Sequence, residues 1–188
     1  MEILIGVLAL ITGLSTALVP YLWKRYITRP EITIQILLIN FISSNLGLSS
    51  KNELNDEGFI DGNNAINMFE LTWKFKIRIT NNSDLTAFFP ELKFNPAGPT
   101  LKLIDSLDKY NPLKSAESIE LSLEYKKFEE KTGKERTVAS RELPVELNHF
   151  GLLLSYQNSY KSKFYTLFNN SDKSNVFLRY KPSQYITN

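Results

Sequence analysis

The stretch "FELTWKFKIRIT", residues 69–80, alternates without exception between apolar and polar side chains. Every odd-numbered position from Phe69 to Ile79 is apolar, and every even-numbered position from Glu70 to Thr80 is polar. A period of two places one set on each face of a β-strand. The stretch therefore predicts a strand with one face in a core and one in water, and the turn residues "NNSD" (81–84) end it.

Other short segments with strand character surround this one between polar turns. They lie at 31–41, about 90–95, about 100–104, 117–130, 135–143, 150–158, 163–170 and 175–181, with "KTGK" (131–134) as a hairpin tip. The segment 31–41 is short, rich in Ile and apolar on both faces, although Gln35 and Asn40 interrupt it, and this predicts a strand buried on both faces. This pattern predicts a mainly β domain over residues 31–188, either a β-sandwich or a small β-barrel. The unequal strand lengths favour the sandwich.

The segment "FKIRITNNSDLTAFFPELKF", residues 75–94, resembles immunoglobulin-like domains. In those domains a long strand ends in an Asn-rich turn and the next strand opens with Ala. The resemblance implies an immunoglobulin-like β-sandwich and assigns no functional residue. The Cys–Trp–Cys core of antibody-type domains is absent, because the chain contains no cysteine.

A second kind of element is the uncharged stretch "ILIGVLALITGLSTALVPYLW", Ile3–Trp23. As a helix it is about 32 Å long, close to the roughly 30 Å hydrocarbon core of a bilayer. It lacks the basic segment that precedes the apolar run of a signal peptide, and no small-residue cleavage site follows it. The stretch therefore predicts a single N-terminal transmembrane helix.

Basic and aromatic residues follow this stretch directly. Lys24, Arg25 and Arg29 place residues 24–188 in the cytoplasm and the tail 1–2 on the other side, by the positive-inside rule. Residues 24–30 are expected to form a basic juxtamembrane linker. The predicted membrane-interface anchors are Tyr21, Trp23, Lys24 and Arg25.

Small residues recur along one side of the predicted span. These are Gly6, Ala9, Gly13 and Ala17. Small residues at this spacing let two helix backbones approach closely, which predicts self-association. The alternative is that this side contacts lipid only.

Composition excludes several function classes. The chain has 22 basic and 20 acidic residues, without the strongly basic face typical of proteins that bind nucleic acid polymers. No cysteine is available as a nucleophile or a zinc ligand. The only histidine, His149, lacks motif spacing and is expected to be structural, and "ELNDEGFIDGNN" (53–64) lacks the ligand spacing of a calcium loop. We expect no cofactor, no metal and no enzymatic activity, although a Ser–Lys dyad formed in the fold remains open.

Aromatic and basic residues interleave between positions 156 and 181. The candidate ligand or lipid surface comprises Tyr156, Tyr160, Lys161, Lys163, Arg179 and Lys181. Three interpretations stand: aromatic core residues with wet cations, a surface for anionic lipid headgroups, and a nucleotide site with stacked bases.

Three hypotheses about function follow. The first is a non-enzymatic, membrane-anchored module that presents its β-domain to a protein partner. The second is a membrane effector whose β-domain senses a nucleotide-like ligand and whose spans then oligomerise. Its layout is similar to that of bacterial antiviral defence effectors that join membrane helices to a β-barrel, although those carry more than one span. The third is a membrane-tethered enzyme.

Overall fold

Strands account for most of the regular structure in the computed structural model, which describes residues 2–26, 28–62, 64–96, 98–132 and 143–185. In the first range the side chains described are 6, 7 and 9–25. The elements are α1 (Glu2–Tyr26), β1 (Ile32–Leu48), β2 (Ile66–Asn81), β3 (Phe88–Phe94), β4 (Lys102–Leu103), β5 (Ser118–Thr132), β6 (Gly151–Gln157), β7 (Lys163–Asn169) and β8 (Ser174–Leu178). Short 3₁₀ turns occupy Val145–His149 and Ser183–Tyr185.

The described strands form two antiparallel four-stranded sheets. Their orders are β1-β2-β5-β4 and β3-β6-β7-β8. One apolar cluster draws on both sheets, with Trp73, Ile77 and Leu123 from the first and Leu152, Leu154 and Phe164 from the second. The predicted mainly β fold is confirmed, and this two-sheet arrangement is consistent with a β-sandwich.

The strand β2 follows the predicted alternation. Leu71, Trp73, Ile77 and Ile79 are each at most 2% exposed. On the opposite face Lys76 and Arg78 both pair with Glu120, at 2.9 and 2.7 Å. Hydrogen bonds from these two cations lower the pKa of the Glu120 carboxyl.

The prediction that the segment 31–41 is buried on both faces was wrong. The strand β1 is longer, ends at Leu48 and lies at the edge of its sheet. Only Ile32 and Ile34 are buried, whereas Leu37 and Ile39 are 45% and 59% exposed. Sequence pattern cannot distinguish an edge strand from a central one, since both carry the same local run of apolar residues.

Most other predicted strands are present with small shifts of their ends. The predicted strand 135–143 and part of the tip 131–134 lie outside the described residues, apart from residues 131, 132 and 143. The predicted linker 24–30 is helical as far as Tyr26, because α1 extends beyond Trp23.

The helix α1 makes few contacts with the sheets along its length. Every side chain from Ala9 to Lys24 is exposed, including Leu10 at 65% and Val19 at 59%. Pro20 lies inside the helix. Within the part of the chain that the structure describes, no helix has the length and apolar character needed to cross a membrane.

Candidate functional site

The end of α1 is held against the turn between β6 and β7 by one buried side chain, that of Asn158. Its Nδ2 donates to the carbonyl oxygens of Arg25 and Thr28, at 3.3 and 3.0 Å. Its Oδ1 accepts the backbone N–H groups of Tyr160 and Ser162, both at 3.0 Å. Asn158 is 4% exposed, so these four hydrogen bonds are sheltered from water. One residue therefore shapes the turn and binds the helix end to it.

Two further contacts fix the chain between α1 and β1. The Thr28 hydroxyl donates to the Lys24 carbonyl at 2.7 Å, which satisfies one of the carbonyl groups left free at a helix end. The Tyr156 hydroxyl donates to the Pro30 carbonyl at 2.9 Å. Backbone carbonyls before and after residue 29 are thus bound to the folded domain, and the helix is docked on it.

Tyr160 joins residues that the sequence placed in separate groups. Its ring meets that of Tyr21 edge-on, with centroids 6.5 Å apart. Nη1 of Arg25 donates to the Tyr21 hydroxyl at 3.0 Å. We call the set Tyr21, Lys24, Arg25, Asn158 and Tyr160 the junction. Sequence reasoning did not find it, because its two halves are more than 130 positions apart and only the fold brings them together.

A hollow of about 390 Å³ opens beside the junction. Lys24 and Asp84 supply opposite charges to its walls, and Leu85 and Phe88 supply apolar surface. Such mixed walls suit a group that is partly charged and partly apolar, as a lipid headgroup with its glycerol is.

The six residues of the predicted ligand surface do not lie together. Tyr156 is in the core at 1% exposure, where burial raises the pKa of its hydroxyl. Tyr160 and Lys161 are at the tip of the β6–β7 turn, Lys161 with φ +60°. Lys163 and Lys181 line a small hollow with Glu91 and Lys93.

Arg179 contacts β7 through two interactions. Its guanidinium lies over the Phe164 ring, 4.6 Å from the centroid, and Nη1 donates to the Lys163 carbonyl. The six side chains therefore do not converge on one pocket. Tyr160 is the one shown in contact with the helix, and Lys161 is its neighbour in the turn.

The small residues of α1 face open space. Gly6, Ala9, Gly13 and Ala17 are all exposed, and an added Cβ at Gly6 or Gly13 would meet no atom within 4 Å. The Thr16 hydroxyl lies near the carbonyls of Thr12 and Gly13, at 3.0 and 2.9 Å. It therefore donates within its own helix and can only accept from a neighbour.

The described residues contain no cluster of His, Asp and Glu that could hold a metal ion. His149 is exposed at the end of a 3₁₀ turn, and the 53–64 loop is organised by Asn55, whose Oδ1 accepts the N–H groups of Glu57 and Phe59. The chemistry available at the junction is binding, through cations, aromatic rings and amide groups. No family model, curated protein or solved structure matches this chain.

Proposed function

We propose that this chain is a single-pass, membrane-anchored, non-enzymatic β-sandwich module that presents its domain to a protein partner on the cytoplasmic side. The observation that carries the proposal is the docking of α1 on the β6–β7 turn through Asn158. A helix held in this way fixes the orientation of the domain relative to whatever contains the helix. That α1 crosses the bilayer rests on the sequence of Ile3–Trp23 taken whole, which has no charged side chain.

The strand orders support the finer proposal of an immunoglobulin-like sandwich. Constant-type immunoglobulin domains place their first, second, fifth and fourth strands in one sheet and their third, sixth and seventh in the other. The orders β1-β2-β5-β4 and β3-β6-β7 follow the same scheme, and β8 is added beside β7. Such sandwiches serve mostly as binding scaffolds, although the fold alone assigns no partner.

The position of the junction supports contact with lipid headgroups. Tyr21 and Lys24 lie at the end of the apolar stretch, where interfacial residues concentrate. Tyr160 contacts Tyr21, so we expect Tyr160 and the neighbouring Lys161 to lie at the same depth as Tyr21 relative to the bilayer surface. Each lysine near an anionic bilayer surface contributes about 1 kcal/mol of attraction. Membrane lipid is therefore the first partner that we propose.

Two measurements on the full chain test the anchor and its orientation. The chain should remain in the membrane pellet after alkaline carbonate washing, and release into the supernatant would overturn the anchor. A C-terminal fluorescent protein that matures only in the cytoplasm should be bright, and a C-terminal alkaline phosphatase should be inactive. The reverse pair of results would invert the orientation.

Single labels test which end of the sandwich faces the bilayer. Because the chain has no native cysteine, Lys161→Cys and Asp56→Cys each provide one attachment point for a fluorophore. Asp56 lies in the loop after β1, at the end of that strand far from α1. A headgroup-linked spin label in the vesicles should quench the fluorophore at 161 and leave the one at 56 bright. Equal quenching at both positions would contradict the proposed placement.

A further inference from the structure

One side of the sandwich is closed by side chains that bridge the two sheets. Asn175 on β8 accepts the Ile34 N–H at 2.9 Å through Oδ1 and donates to the Ile34 carbonyl at 3.0 Å through Nδ2. The Thr166 hydroxyl on β7 donates to the Ile32 carbonyl at 2.9 Å. These bonds satisfy the outer edge of β1 over its first residues.

The bridging stops at Ile34, and the edge beyond it is open for a short distance. In an antiparallel ladder alternate residues direct both backbone polar groups to the same side. Ile34 directs its groups away from β2, so Ile36 and Leu38 do the same in the continuous register that pairs them with Ile77 and Phe75. Among the described residues, no group outside the ladder bonds to these two. We call Ile36–Leu38 the edge window.

The window has a definite far end. The pairing of β1 with β2 is irregular between Leu38 and Asn40. The Oδ1 of Asn40 accepts a hydrogen bond from the Phe41 N–H at 2.8 Å. Irregularities and self-capping of this kind protect edge strands from unwanted pairing. The window therefore lies between the Asn175 bridge and this irregularity, and neither kind of protection falls within it.

An apolar cavity opens beside the window. It has a volume of about 120 Å³, and its walls include Ile36, Leu38, Phe75, Leu123, Leu147 and Phe150. A cavity of this size accepts a side chain of four to six carbon atoms, since engineered apolar cavities of about 150 Å³ hold benzene.

Two polar residues, Asn170 and Lys173, also line this cavity. Asn170 is committed, because its Nδ2 donates to the Leu147 carbonyl at 2.8 Å. Lys173 is exposed, and within the described ranges it forms no ion pair. Its φ of +53° is unusual for a lysine, a residue with a Cβ. The cavity therefore combines apolar walls with an uncommitted positive charge.

We infer that the edge window and this cavity together bind an extended peptide segment of a partner protein. The segment adds as a short strand beside Ile36 and Leu38, places one apolar side chain in the cavity and sets a carboxylate near Lys173. An extended backbone supplies alternating N–H and C=O groups at the spacing that an open strand edge requires. Charge complementarity with Lys173 selects an acidic segment. The inference rests on the proposed function as an interaction module and names the chemistry of its partner.

The test uses the full chain in phosphatidylcholine nanodiscs and a phage library of linear twelve-residue peptides. Selected peptides should alternate apolar and polar residues and carry an acidic residue or a terminal carboxylate. Lys173→Asn should weaken their binding about tenfold by fluorescence polarisation, because a charge-assisted contact is lost. Asn tolerates a left-handed backbone, so this variant keeps the turn. Lys102→Asn, on β4, is the matched control and should change nothing.

Peptide chemistry provides the second arm. N-methylation of the peptide amides that face β1 should abolish binding, whereas methylation of the alternate amides should not. The inference would be overturned if the selected peptides bound the nanodiscs that carry the chain no more tightly than empty nanodiscs. It would also be overturned if neither Lys173→Asn nor N-methylation changed their affinity. A synthetic copy of residues 32–42 that binds more tightly than any selected peptide would overturn it in favour of a second copy of this chain. Specific peptide binding by a chain that carbonate releases from membranes would leave the inference standing and remove the anchor.

Discussion

The side-chain amide of Asn175 holds both backbone polar groups of Ile34, although 141 positions separate the two residues. It forms with Ile34 the two hydrogen bonds that a neighbouring strand would otherwise form with that residue of β1. Because β1 and β8 are edge strands of different sheets, this contact joins the two sheets along one side.

Replacing Asn175 tests how much this bridge contributes. Asn175→Ala leaves the Ile34 N–H and carbonyl without partners at a buried position, which should cost about 1–3 kcal/mol of unfolding free energy. Urea titration of the full chain in detergent, followed by far-UV circular dichroism, measures it. The neighbouring Val176 is 42% exposed, so Val176→Ala should cost under about 0.5 kcal/mol. Equal losses would show that the bridge is not specific.

Asn158→Asp separates the two functions of that side chain. The carboxylate still accepts the Tyr160 and Ser162 N–H groups, but it cannot donate to the Arg25 and Thr28 carbonyls. The helix end should open more often, and trypsin should cleave after Arg25 roughly ten times faster. Asn170→Asp makes the same chemical change in another turn and should leave that cleavage rate unchanged.

Trp73 tests the two faces of β2. Its ring is 1% exposed and packs against Phe41 and Tyr125, with centroids 5.1 and 5.7 Å away. Trp73→Ala should therefore destabilise the domain by about 3–5 kcal/mol. Lys74 is on the opposite face and pairs with Glu124 at 3.5 Å, where its own side chain is 45% exposed, so Lys74→Ala should cost under about 0.5 kcal/mol. Similar urea midpoints for the two variants would contradict the assigned faces.

Tyr185 predicts a loss of stability at high pH. Burial raises the pKa of its hydroxyl to about 12, and that hydroxyl has no partner among the described residues. The unfolded tyrosine ionises near pH 10, so between about pH 10 and 12 the unfolded state loses a proton that the folded state keeps. Stability should be intact below pH 10 and fall as the pH rises to 12. Tyr185→Phe should reduce the shift in melting temperature between about pH 9 and 11.5. Tyr180→Phe, at an 83% exposed ring, should not.

Gly13 tests whether α1 associates with itself. A larger side chain at the centre of the small-residue stripe should prevent close approach of two helices. Gly13→Ile should lower the signal in a membrane dimerisation reporter, and Ile11→Val on the other side should leave it unchanged. A wild-type signal at background would show that the stripe contacts lipid alone.

The alternation in residues 69–80 was sufficient to predict β2 and its faces, and the strand-like segments on either side of it were sufficient to predict a mainly β fold. The position of β1 at a sheet edge was not predictable, because edge and centre differ in neighbours that are distant in sequence. The same limit applies to the junction. Asn158 and Asn175 are ordinary polar residues in the sequence, and only the fold shows that they bind groups at positions 25–34.

The six residues of the candidate surface occupy different environments, and the sequence contained a signal for part of this separation. The parity of β6 could have separated Tyr156 from Tyr160, since Leu152, Leu154 and Tyr156 share one face of a strand. The turn after Gln157 then resets the alternation, so Tyr160 and Lys161 face away from the core. The grouping of aromatic and basic residues over 156–181 did not distinguish the core face of β6 from the exposed turn that follows it.

The strand order also determines the sequence in which the strands can pair while the ribosome synthesises the chain. The strands β1 and β2 are consecutive and pair with each other, so that hairpin can close soon after residue 81 emerges. The strand β3 pairs only with β6 in its sheet, and it must wait until residue 157 has been made. At about 5–20 residues per second, synthesis from the end of β3 at residue 94 to residue 157 takes roughly 3–13 s. The sheet that contains β1 and β2 therefore begins to form first, and the second sheet assembles onto it only near the completion of β6 and β7.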